Sequence, residues 1–232
     1  MFPIRIEVVA ETPMDVRAAQ TSGATQVLIV RQLPEGSSSS DTKTIEACLE
    51  QATIPVSVLV KPDAGDYCYE EARRTRTLKI LEVYWKRGIR NITFGAEHDG
   101  VFDWDLLEEA IHCGFTVNVN QAFDLLRNPQ AAYMKLVQYP KVLQINTSGA
   151  PWATADGDYT LEQLLRSASP QLPIFLDTAG HSEDRVLGLL KTGLHGVQLG
   201  KTIRDGQGKI NYGLLDRWVG LCQSLNKRPR SF

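Results

Sequence analysis

The chain has 232 residues, 43% of them hydrophobic and 22% charged, and a net charge of −2. That balance suits a soluble globular domain with its own core and gives no electrostatic reason to bind nucleic acid or an anionic membrane. Four scattered cysteines, Cys48, Cys68, Cys113 and Cys222, form no CxxC pair. Their scatter argues against a disulfide framework or a structural zinc site and for a reducing compartment.

The opening segment, MFPIRIEVVAETP, holds one short apolar run interrupted by Glu7. It reads as a strand rather than a signal peptide or a membrane span, and the expected location is the cytoplasm. Further strands are expected at TQVLIV (25–30), IPVSVLV (54–60), NITFGA (91–96), FTVNVN (115–120), KVLQIN (141–146), PIFLDT (173–178) and GVQLG (196–200), after the first at IRIEVVA (4–10). All are short and rich in Val, Ile and Phe, as parallel strands buried on both faces should be.

Helices fill the intervals. Thr12-Pro13-x-Asp15 supplies a cap, a first-turn proline and a first-turn acid. Asp103 opens WDLLEEAIHC and Ser182 opens EDRVLGLLK, while weaker helices are expected near 41–52 and 159–168. Gly23, Gly88, Gly114 and Gly193 each stand between a helix and the next strand, where a left-handed C-cap is expected. Eight such units of about thirty residues or fewer predict a single-domain (β/α)8 TIM barrel over 1–232. The rival, a doubly wound open sheet, usually carries GxGxxG after its first strand, and none occurs here. GSSSSD (36–41) and GAPWATADGDY (149–159) are candidate lids or plain surface loops, and the basic tail KRPRSF (227–232) is expected to fray.

A barrel of this type builds its site at the C-terminal ends of its strands. Glu7 faces the interior or the mouth, and Lys61, ending the third strand, is its expected partner. The pair is either a structural ion pair or a base held beside a cation. The loop KPDAGDYCY (61–69) adds Asp66 and Cys68. Asn118 and Asn120 share one strand face, and Gln121 follows. Asp124 is either a ligand-facing carboxylate or an acid at a helix start. Asn146 and Ser148 end the sixth strand, and Asp177, Gly180 and His181 follow the seventh. Gly180 with Lys201, after the eighth strand, would hold a phosphate or a carboxylate. His98 faces the same end, whereas His195 lies at the opposite face. No HxH or HExxH occurs, so a strong histidine metal site is not expected. Cys68 is a top-face thiol suited to Cu(I) with a second soft ligand. Its neighbours in sequence offer none, and Met14 is the one named candidate.

Together these segments resemble the copper homeostasis protein CutC family over about residues 5–203. IPVSVLVKPDAGDYCY resembles that family's I-P-V-x-x-x-I-R-P-R-G-G-D-F-x-Y, SGATQVLIV its N-G-A-D-R-V-E-L-C, VNVNQAFD its V-T-F-H-R-A-F-D, and QINTSG its R-V-L-T-S-G. Glu7, Pro62, Gly65, Asp66, Ala122, Phe123, Asp124, Ser148 and Gly149 match the pattern. Leu28 and Val30 stand in place of glutamate and cysteine, Lys61 and Asp63 in place of two arginines, Asn120 and Gln121 in place of histidine and arginine, and Gln198 near a histidine. The resemblance implies a (β/α)8 barrel and an association with copper handling.

Three functional expectations follow. The first is a cytosolic copper-homeostasis-like binding protein, with Cys68 as the metal ligand. The second is an enzyme acting on a small neutral or zwitterionic polar metabolite, with Glu7 or Asp66 as base and Lys61 as electrostatic stabiliser. The third is a non-catalytic barrel acting as a homo-oligomeric or partner-binding scaffold.

Overall fold

Eight parallel strands close into a barrel in the computed structural model, which describes residues 3–33, 36–150 and 155–226. The strands are β1 (Arg5–Ala10), β2 (Gln26–Ile29), β3 (Val56–Leu59), β4 (Asn91–Phe94), β5 (Thr116–Val119), β6 (Val142–Thr147), β7 (Ile174–Asp177) and β8 (Gly196–Leu199). Each pairs with its neighbour in chain order, and β1 pairs with β8 to close the ring. Helices α1 (Pro13–Ser22), α2 (Thr42–Gln51), α3 (Glu71–Lys86), α4 (Trp104–His112), α5 (Pro129–Leu136), α6 (Ala155–Arg166), α7 (Glu183–Lys191) and α8 (Tyr212–Asn226) surround it.

Local chemistry sets these boundaries as expected. Thr12 and Asp15 form a reciprocal capping box at the start of α1, and Asp103 and Ser182 cap α4 and α7 through their side chains. The four helix-ending glycines have φ between 78° and 117°, a region that any Cβ would strain. The main apolar core lies between barrel and helices, where Ile6, Val8, Val27, Ile92, Val117 and Leu176 point outward. Alternation sends the other residues of each strand inward, where only Val9, Leu28, Val30 and Leu59 form a separate apolar cluster. The remaining inward positions are largely polar.

GSSSSD is not a lid. Gly36–Ser38 pairs with Arg31–Leu33 in a short antiparallel ribbon. Ser39 then holds the backbone of Lys61 on both sides: its Oγ accepts from Lys61 N at 2.9 Å, and its N–H donates to Lys61 O at 2.9 Å. Asp41 caps α2. A second small ribbon, Glu97–His98 with Val101–Phe102, sits after β4. Residues 151–154 of the other candidate lid and the tail 227–232 lie outside the described residues.

Candidate functional site

The centre of the barrel is a carboxylate ringed by amides. Glu7 is fully buried and in register with Gln26 on β2 and Gln198 on β8. Its Oε1 accepts from Gln26 Nε2 at 2.6 Å and Gln144 Nε2 at 3.0 Å. Its Oε2 accepts from Gln198 Nε2 at 2.6 Å and Asn146 Nδ2 at 2.9 Å. Burial pushes the Glu7 carboxyl above its ordinary range, and the four amides oppose that shift. Lys61 is not its partner. Glu7 sits mid-strand in β1, while Lys61 stands beyond the end of β3, so the two occupy different layers of the barrel.

Lys61 occupies the mouth under different conditions. Only 5% of it is exposed. Its Nζ lies 4.4 Å from the centre of the Tyr67 ring and makes one long hydrogen bond, 3.4 Å, to Ala64 O. No ion pair reaches it among the described residues. Burial first, then the Arg73 cation, lower its pKa to about 8, against the pull of Asp63 and Asp66. The Tyr67 hydroxyl donates to Gln121 Oε1 at 3.3 Å, and Gln121 Nε2 donates to Asp177 Oδ2 at 2.8 Å and to Gln198 Oε1 at 3.2 Å. Lys61, Tyr67, Gln121 and Asp177 therefore form one contiguous wall, which meets the Glu7 layer through Gln198. Burial raises the carboxyl of Asp177, with His181 and Lys201 acting in the opposite sense, and burial also raises the phenol of Tyr67.

The other expected site residues divide by what they touch. Asp66 is 70% exposed and bound by Arg73 Nη1, so it is an anchor of the loop and does not stand free as a base. Arg73, in the first turn of α3, also reaches Asp63 Oδ1 at 2.7 Å, Asp66 O at 2.7 Å and Cys68 O at 2.6 Å. Asp124 accepts from the Thr147 hydroxyl and from Ser148 N at 2.8 Å, which ties down the end of β6. Burial raises its pKa to about 6. Asn120 caps the 3-10 turn Gln121–Leu125 by accepting from Ala122 N at 3.0 Å. A Cβ on Gly95 would fall 2.5 Å from its Oδ1, so Gly95 makes room for that cap. Asn118 is buried in the ring, in register with Thr93 and Gln144. His181 Nε2 is sealed from solvent without a hydrogen bond, whereas Gly180 and Lys201 are exposed.

Cys68 has a partner that the sequence did not place beside it. An isolated parallel bridge sets Cys68 beside Glu97, and Cys68 Sγ lies 3.3 Å from His98 Nδ1. His98 Nε2 in turn lies 3.6 Å from Asp99 Oδ2. Burial first, then the carboxylates of Glu97, Asp66 and Glu70, push the thiol up. The sequence pattern also leaves Tyr67, Arg73, Gln26 and Gln144 unmarked as site residues. The signal for the two glutamines was there: each is a polar residue inside an otherwise apolar strand.

A family model described as the CutC family matches residues 4–203, from the first residue before β1 to the turn after β8. The chain belongs to the CutC family. A CutC family protein from Mesorhizobium japonicum is 32% identical over 82% of this chain and 74% of its own length. Another from Pasteurella multocida is 26% identical over 84% of this chain and 81% of its own. The solved structure of CutC from Streptococcus agalactiae, which carries a copper-homeostasis name, superposes with a TM-score of 0.73 at 15% identity. It covers 84% of this chain and 97% of its own. That likeness shows the barrel alone. Lys61, Tyr67, Gln121 and Asp177 line the mouth as they stand in this chain.

Proposed function

We propose that the mouth of this barrel binds and transforms a small polar metabolite, with Lys61 as its cation and Asp177 as its acid–base group. The observation that carries this reading is a buried ammonium with no carboxylate partner among the described residues, joined through Tyr67 and Gln121 to a strand-end carboxylate. Structural ion pairs are normally closed, and an open buried cation is costly unless a ligand completes it. Glu7 is saturated and Asp66 is paired, so the acid–base role passes to Asp177, a strand-end carboxyl that burial raises above its ordinary range. A thermal-shift screen of small hydroxylated, carbonyl and amino-acid metabolites tests it. A stabilising compound is expected to lose its effect in Lys61→Met and Asp177→Asn. Stabilisation that persists in both would place the ligand elsewhere.

The Cys68–His98 pair favours a second reading, the handling of copper. A thiol and an imidazole form a soft, low-coordinate donor set that fits Cu(I). Among the described residues no cluster of three or more His, Cys, Asp or Glu offers a larger site. Anaerobic competition for Cu(I) should give one equivalent bound, lost in both Cys68→Ser and His98→Ala; unchanged affinity would remove the rim from the reading. The four free thiols support a cytoplasmic setting, and no helix among the described residues is long and apolar enough to cross a membrane.

A further inference from the structure

We infer that Lys61 is a covalent centre: its amine condenses with the carbonyl of a small aldehyde or ketone at the barrel mouth to form an imine. The inference rests on the metabolite-binding reading of the mouth and names its substrate class. Three features of the geometry carry it. The Lys61 backbone is clamped on both sides by Ser39, so the side chain projects from a fixed point. The side chain is buried against the Tyr67 face, and among the described residues its Nζ makes a single 3.4 Å contact with a carbonyl oxygen, not the two or three short bonds of a structural ammonium. Across the same wall, Gln121 and Asp177 supply a polar surface for the rest of the compound.

Burial first, then the Arg73 cation, favour the free amine. Arg73 on α3 repels the ammonium, and Asp63 and Asp66 on its own loop are the opposing anions, both already held by Arg73. Tyr67 faces it as a neutral phenol, since burial raises its pKa. With a pKa of about 8, Lys61 holds roughly two orders of magnitude more free amine at neutral pH than an ordinary surface lysine. A desolvated lysine of this kind is the form that reacts with carbonyls.

The step balances without a co-reactant. The nitrogen lone pair adds to the carbonyl carbon, and the carbonyl π pair moves to oxygen. Both amine hydrogens then leave with that oxygen as one water molecule, as the C–O bond breaks and the C=N bond forms. No electrons are gained or lost overall. The position matters chemically, because an arginine there would supply charge without a nucleophilic amine.

Reductive trapping tests this on the full chain. The protein is incubated separately with pyruvate, glycolaldehyde and glyoxylate, each with sodium cyanoborohydride, and the adducts are located by peptide mass spectrometry. Lys61 is expected to be alkylated at least about tenfold faster at pH 7 than any exposed lysine. Its rate should rise with a midpoint near pH 8. Lys61→Arg, folded by its circular dichroism and melting curve, should lose the fast adduct. Labelling of Lys61 no faster than the surface lysines, with all three probes, would overturn the inference. A metabolite that stabilises the fold through Lys61 and Asp177 while Lys61 stays untrapped would leave the binding reading standing and remove the imine alone. Absence of both responses would remove both.

Discussion

Among the described residues, the two charged side chains most fully buried in this barrel have opposite surroundings. Glu7, mid-barrel, accepts four amide hydrogen bonds of 2.6 to 3.0 Å, two on each oxygen. Lys61, at the mouth, makes one bond of 3.4 Å and leans on an aromatic face. A charge with every lone pair satisfied is part of the architecture. A charge left open at a strand end costs stability, and sites for ligands are where folds tolerate such a cost. The same residue class, a buried ion in a barrel, is thus closed by hydrogen bonds in one layer and left open in the next.

Removing each charge should move stability in opposite directions. Glu7→Ala strands four amide donors in a closed interior and should destabilise by about 4 kcal/mol, with Glu7→Gln costing about half as much. Urea midpoints and thermal melts read this directly. A loss below about 1 kcal/mol would mean the amides re-pair among themselves and the ring is self-sufficient.

Lys61→Met should instead raise stability by about 2 kcal/mol at pH 7, because it removes a buried ammonium that has no ion pair among the described residues while filling the same volume. The sign with pH is fixed by the direction of the shift. The folded pKa, about 8, lies below that of the unfolded chain. Between that value and roughly 10.5 the unfolded state binds more protons, so wild-type stability rises with pH and the advantage of the variant shrinks. Melts of both proteins at pH 7, 9 and 10 test this. A difference that does not change with pH would place an ordinary lysine at position 61.

The frame of this comparison was legible in the sequence, whereas its pairings were not. All eight strands lie where their short apolar runs put them, because a strand buried on both faces leaves a composition that few other elements share. The capping box at Thr12 and the four glycine caps are local signals with local partners. Glu7 stood out as a charge in an apolar run. Gln26 and Gln144 carry a weaker form of the same signal, since an uncharged amide at a strand position is equally at home in water. Contacts across the barrel decide the rest. His98 reaches Cys68 from thirty residues away through a bridge no pattern announces. Asp66 looked like a free base because the arginine that binds it lies on the following helix.

That arginine gives the smallest and sharpest test. Arg73 bonds two carboxylates and two carbonyls of the loop KPDAGDYCY, but Asp63 and Asp66 are 35% and 70% exposed, so solvent screens much of the attraction. Arg73→Ala should therefore cost only about 1 kcal/mol. Its effect on Lys61 should be larger than its effect on the fold. The Arg73 cation depresses the amine, while Asp63 and Asp66 oppose that pull. Without Arg73, Asp66 loses its ion-pair partner while Asp63 keeps Arg76 Nη2 at 3.0 Å, and neither carboxylate's pull on Lys61 is offset by the Arg73 cation, so its pKa must rise. The pH midpoint of reductive labelling at Lys61 should move upward from about 8, with slower labelling at pH 7 and little change in the melting temperature. An unchanged midpoint would show that burial alone tunes the lysine, and that the clasp holds the loop without tuning the amine it encloses.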